Sequence, residues 1–118
     1  MTAEEMKGRT KKFALRVIRL VQSLQQDHVT RTIGGQLLRC GTSVGANYRA
    51  ACRGRSKAEF RAKLGIVEEE ADEAALWMEI LIESGLVHED LLSDLRREAN
   101  EILSIVVASI TTARGSLT

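Results

Sequence analysis

Apolar residues recur at steps of three and four along nearly all of this 118-residue chain, and no proline interrupts them. Such spacing gathers apolar side chains on one face of an α-helix, which turns once every 3.6 residues. Four stretches of this kind, separated by short turn-forming clusters, predict helices over about 6–25, 30–53, 57–84 and 89–113. Connections this short make successive helices antiparallel neighbours. The expected fold is therefore all-α: an up-down-up-down antiparallel four-helix bundle, one domain over residues 1–118. An aromatic content of 3% argues further against a β-sandwich or barrel.

The core stripes can be read helix by helix. Phe13, Val17, Leu20, Val21 and Leu24 form the first, and Ile33, Leu37, Cys40, Val44, Tyr48 and Ala51 the second. Phe60, Leu64, Val67, Ala71, Ala74, Met78 and Leu81 form the third, and Leu92, Leu95, Ala99, Ile102, Leu103, Val106 and Ile110 the fourth. Asp27 or Thr30 is placed to cap the second helix. Ser56-Lys57-Ala58-Glu59 has the spacing of a capping box, in which Ser56 accepts from the Glu59 amide and Glu59 reaches back. Gly54 and Gly85 suit helix ends, and Gly115 to Thr118 reads as a frayed tail.

The second helix is rich in glycine. Gly34, Gly35, Gly41 and Gly45 all lie inside it, and each interior glycine costs about 1 kcal/mol relative to alanine. Close approach of a neighbouring helix, within the bundle or between subunits, would offset that cost.

A net charge of +1 hides a strong asymmetry. Residues 1–63 hold fourteen Lys and Arg against four Asp and Glu, whereas residues 64–118 hold three against twelve. Such a split points to nucleic acid, unless the two halves neutralise each other by packing. Arg9, Lys12, Arg16 and Arg19 fall within an arc of about 80° on the first helix. Arg31, Arg39, Arg49 and Arg53 do the same on the second, with Arg55 in the following turn. These five are the candidate nucleic-acid-binding residues, since arginine grips phosphate bidentately. Only Tyr48 and Trp77 offer large polar-edged rings, which weakens a single-strand stacking mode. On the third helix Ile66, Leu76, Trp77 and Ile80 lie off the core stripe and form a candidate oligomer interface.

No catalytic residue, metal site or cofactor is expected. The acids of the third helix lack the Glu-x-x-His pairs of di-metal bundles, and His28 and His88 stand near turns. Ser56 has a capping role and no nearby histidine. Cys52, although close to Arg49, Arg53 and Arg55, has no accompanying base. Cys40 and Cys52 share a helix about 18 Å apart, too far for a disulfide. No apolar run reaches the roughly 18 residues that span a bilayer, and Met1 to Glu5 carries no apolar signal core. The expectation is a cytoplasmic protein without a membrane partner.

One stretch has a familiar pattern. Gln36-Leu37-Leu38-Arg39, Thr42 to Ala51, and Arg53-Gly54-Arg55-Ser56-Lys57-Ala58-Glu59-Phe60 resemble the 23S rRNA intervening-sequence protein family. Lys63 to Ile66, Glu69 to Glu73, Trp77 and Glu79 fit the same pattern. Tyr48-Arg49-Ala50-Ala51 departs from the commoner Ile-Ala-Glu-Gly. The resemblance implies a small bundle that assembles as a homopentamer and has no established activity. It also implies kinship with the accessory variability proteins of diversity-generating retroelements, basic pentamers thought to bind nucleic acid and a reverse transcriptase. The expected protein is thus a non-enzymatic homo-oligomer, pentameric by resemblance, contacting RNA or DNA through its arginines. The alternative is a scaffold for a protein partner with no nucleic-acid role.

Overall fold

The computed structural model describes residues 1–115. It contains α1 (Ala3–Ser23), α2 (His28–Cys52), α3 (Lys57–Glu83) and α4 (Glu89–Gly115). Each helix packs against the next and α1 also meets α4, while neither diagonal pair comes together among the described residues. This is the four-helix bundle expected from the periodicity. It measures 50 × 21 × 20 Å, close to the roughly 40 Å length of a 27-residue helix plus its turns. Gly115 ends α4, and the rest of the expected frayed tail lies outside the described residues.

The capping chemistry differs from the expectation in an instructive way. Ser56 caps α3 by accepting the Glu59 amide at 3.1 Å, but the return bond from Glu59 is not formed. The reciprocal capping box instead opens α1. Thr2 accepts from the Glu5 amide at 3.1 Å, and the Glu5 carboxylate accepts from the Thr2 amide at 3.4 Å. Thr2-x-x-Glu5 has the signature spacing, and it starts α1 three residues earlier than the apolar pattern indicates. Asp27 caps α2 through the Thr30 amide at 3.0 Å. Gly85 ends α3 at φ 78°, the left-handed region that favours glycine.

The earlier start shifts the buried stripe of α1. Met6, Thr10, Phe13 and Val17 are buried, whereas the expected Leu20, Val21 and Leu24 are only half buried at the other end. Ile33, Phe60, Leu103 and Ile110 also pack against the core from its edge. The remaining expected core positions are buried.

Among the glycines of α2, Gly41 is the one that α1 packing demands, while Gly34 and Gly45 also lie against α1. A Cβ on Gly41 would lie 2.8 Å from both Val17 γ-carbons, one on Gly45 3.5 Å from the Thr10 backbone, and one on Gly34 3.3 Å from Leu24. The close approach is therefore within the subunit at these three positions. Gly35 meets nothing within 4 Å. Thr10, the polar group buried at this contact, is satisfied by the Met6 and Lys7 carbonyls at 3.0 and 3.2 Å.

Candidate nucleic-acid interface

The bundle separates the basic residues into engaged and free groups. Arg9 donates from Nε and Nη2 to the two Glu98 oxygens, each at 2.7 Å, and also to Glu101. This fork bridges α1 to α4, the pair of neighbouring helices that pack together least extensively. The hydrogen-bonded guanidinium holds the Glu98 carboxyl below the usual carboxylate range, and Arg16 adds to the positive field. On α2, Arg39 reaches across to α3. It pairs with Glu70 at 3.3 Å and with Glu73, and it donates to Gln36 at 3.2 Å. The two halves of the chain thus neutralise each other at two cross-helix bridges.

Arg31, Arg49, Arg53 and Arg55 remain exposed and form no ion pair among the described residues. Arg31 lies near the start of α2 and Arg49 near its end. Arg53 is the C-cap residue of α2 and Arg55 follows in the turn. Three of the five candidate arginines therefore gather at one end of the bundle, with Arg31 about 27 Å away along the helix axis. Neither of the large polar-edged rings serves this surface. Tyr48 is buried, with burial and a Cys52 contact pushing its phenol up to about 12. Trp77 is half buried and packs against the core.

A polar cluster that periodicity does not reveal surrounds Arg39. Cys40 Sγ and carboxylate oxygens of Glu70 and Glu73 lie within 4.8 Å of one another. The donor types could hold a soft divalent cation, but their hydrogen bonding opposes it. The Cys40 thiol donates to Glu73. Burial and then Glu73 push that thiol up to about 12, so it stays protonated. The same thiol, together with Arg39, holds the Glu73 carboxyl below its usual range. Arg39 thus already supplies the positive charge that a cation would bring, and a metal would have to displace it. The sequence signal for this cluster is weak, because Arg39 and Glu73 are 34 positions apart.

The candidate oligomer strip is only partly free. Ile66 and Leu76 are 37% and 47% exposed, while Trp77 and Ile80 are half buried. Among the described residues Trp77 Nε1 is buried without a hydrogen-bond partner, although Glu73 is its neighbouring carboxylate.

A further basic surface lies between α1 and α2. Lys7 and Lys11 of α1 face Arg49 of α2 across an open groove of about 590 Å³. The four-residue spacing of the two lysines is legible in α1, but their place opposite Arg49 is set by the packing of α1 on α2.

Comparison with known proteins places the chain. The family model of the 23S rRNA-intervening sequence proteins matches residues 4–108. The chain belongs to that family. A similar solved structure is that of a protein with unknown function from the S23 ribosomal protein family of Bacteroides thetaiotaomicron, determined at 1.70 Å. It is 31% identical to this chain, with a TM-score of 0.87, over 94% of this chain and 99% of that one. No curated protein sequence matches. For this 23S rRNA-intervening sequence protein, no described helix is long and apolar enough to cross a membrane.

Proposed function

We propose that this 23S rRNA-intervening sequence protein is a non-enzymatic, cytoplasmic homo-oligomer that contacts RNA or DNA through free arginines of its basic half. By resemblance to the family and to the retroelement accessory variability proteins, the oligomer is a pentamer. The observation that carries the reading is the sorting of cations. Arg9 and Arg39 are engaged by acids of α4 and α3. Arg31, Arg49, Arg53 and Arg55 remain exposed and unpaired among the described residues. Repetition around a ring would multiply that surface, and phosphate contacts of this kind strengthen as salt falls. The engaged arginines favour the second reading, a scaffold whose charges serve its own packing.

A mobility-shift titration with structured RNA at two salt concentrations separates these readings. Binding at low salt that weakens with added salt, and that falls on replacing Arg49 and Arg53 by glutamine, supports nucleic-acid contact. Absence of binding at low salt, or binding indifferent to both replacements, supports the scaffold instead. Light scattering tests the assembly: a monomer at micromolar concentration excludes the oligomer. An unchanged mass for Leu76→Glu places the subunit contact elsewhere than the α3 strip.

A further inference from the structure

We infer that the groove between α1 and α2 seats a nucleic-acid phosphate backbone, gripped by Lys7, Lys11 and Arg49. This rests on the nucleic-acid reading above and gives it a surface to which both helices contribute.

Lys7 and Lys11 are one turn apart on α1, about 6 Å along its axis. Arg49 faces them from α2 across the groove, so three cations from two helices line one channel. Lys11 and Arg49 are exposed and have no ion pair among the described residues. Lys7 is 3.1 Å from Glu4, the acid in the lining, but that carboxylate is 85% exposed. An exposed lysine–glutamate pair is worth at most about 1 kcal/mol, so Lys7 can exchange Glu4 for a phosphate. The channel keeps a positive excess in either arrangement.

The floor is nearly bare backbone. Gly8, Gly45 and Ala46 contribute to it. A Cβ on Gly45 would only come into contact with Thr10, at 3.4–3.5 Å, and one on Gly8 would meet nothing within 4 Å. An interior helical glycine costs about 1 kcal/mol, and no contact within the subunit accounts for this one. At Gly8 the floor is open where a ligand chain could approach α1 closely.

The distribution of charge identifies the ligand class. Lys7 and Lys11 follow one another along α1, about 6 Å apart, with Arg49 across the groove, which suits a polymer of phosphates better than a single anion. Thr42, another lining residue, has its hydroxyl engaged by the Leu38 carbonyl at 2.7 Å. No aromatic ring lines the groove, so bases have no stacking platform. The contact is therefore to the backbone, and binding should be nearly indifferent to base sequence.

The test is a fluorescence-anisotropy titration of the full chain with labelled single-stranded RNA and duplex DNA of mixed sequence, across a salt series. The three groove cations contribute about −2 to the log–log salt slope for single strands and about −2.7 for duplex per engaged subunit, beside the share of Arg31, Arg53 and Arg55. Replacing Lys7 and Lys11 together by glutamine should reduce the slope by about 1.4 for single strands and about 1.8 for duplex, the share of the two phosphates left without a lysine. Gly8→Leu keeps every charge and fills the floor. It is expected to weaken binding about tenfold or more, because the backbone is held away from one or two of the cations. Helical content by circular dichroism should be unchanged in both variants, and Arg97→Gln on α4 should match the wild type. If the wild type binds but both groove variants retain its affinity and slope, the groove assignment falls and the nucleic-acid reading stands. Failure of the wild type to bind at low salt removes both. A changed molar mass for either variant makes the groove a subunit contact and overturns the assignment.

Discussion

Replacing Gly41 by alanine would place a methyl carbon 2.8 Å from both Val17 γ-carbons and 3.1 Å from its Cβ. Val17 is fully buried, and a β-branched side chain on a helix has essentially one rotamer available. The clash can therefore be relieved only by moving α1 away from α2, and inserting one carbon into a packed contact costs about 1–3 kcal/mol. Opposing this, removal of an interior glycine favours the helix by about 1 kcal/mol. The net expectation is a loss of about 1 kcal/mol. Gly35→Ala supplies the control, because it is the same substitution on the same helix with nothing within 4 Å of the new atom. It should stabilise by about 0.5–1 kcal/mol. Propensity cancels between the two variants, so their difference isolates the clash at about 1–3 kcal/mol. Thermal melts followed by circular dichroism at one fixed protein concentration should separate their midpoints by several degrees, at about 4 °C per kcal/mol. In a Val17→Ala background the two γ-carbons are gone, and Gly41→Ala should become less costly by about 0.5–3 kcal/mol. Equal midpoints for Gly41→Ala and Gly35→Ala would refute the claim that α1 packing dictates glycine at 41.

Two further expectations concern the polar bridges. Arg9 depresses the Glu98 carboxyl, so the stabilisation is present above the unfolded value near 4.5 and is lost as pH falls through the lower folded value. Arg9→Gln should cost about 1–2 kcal/mol at neutral pH, and urea midpoints should show that gap closing on acidification; a gap constant from neutral pH to about pH 3 contradicts the bridge. Cys40 is fully buried and its thiol is pushed up to about 12, so a disulfide reagent at neutral pH should modify Cys52 first and Cys40 only on unfolding. Equal native rates for the two thiols would contradict the cluster described around Arg39.

Much of the helix pattern is legible in the sequence because it is local. A period of three to four residues can be recognised without knowing what a helix packs against, and it places the α2, α3 and α4 stripes nearly correctly. The differences arise where local signals compete. Periodicity centres the α1 stripe too far along because Thr10 is polar, yet its hydroxyl satisfies itself on α1 carbonyls and is buried against Gly45. The Thr2-x-x-Glu5 box is visible in the sequence but lies ahead of the first apolar residue that marks the helix. At Ser56 the same spacing delivers only half of the expected motif, because a box also requires the Glu59 side chain to turn back.

Periodicity and capping therefore settle that four helices form and roughly where each begins. The sequence also concentrates the bases in the first half of the chain and the acids in the second. Which bases remain free is decided by tertiary contacts. Arg39 meets Glu73 across 34 residues of sequence and Arg9 meets Glu98 across 89. No pattern within a helix encodes those distances. Lys7, Lys11 and Arg49 become neighbours only because small residues let α1 and α2 approach closely while running antiparallel.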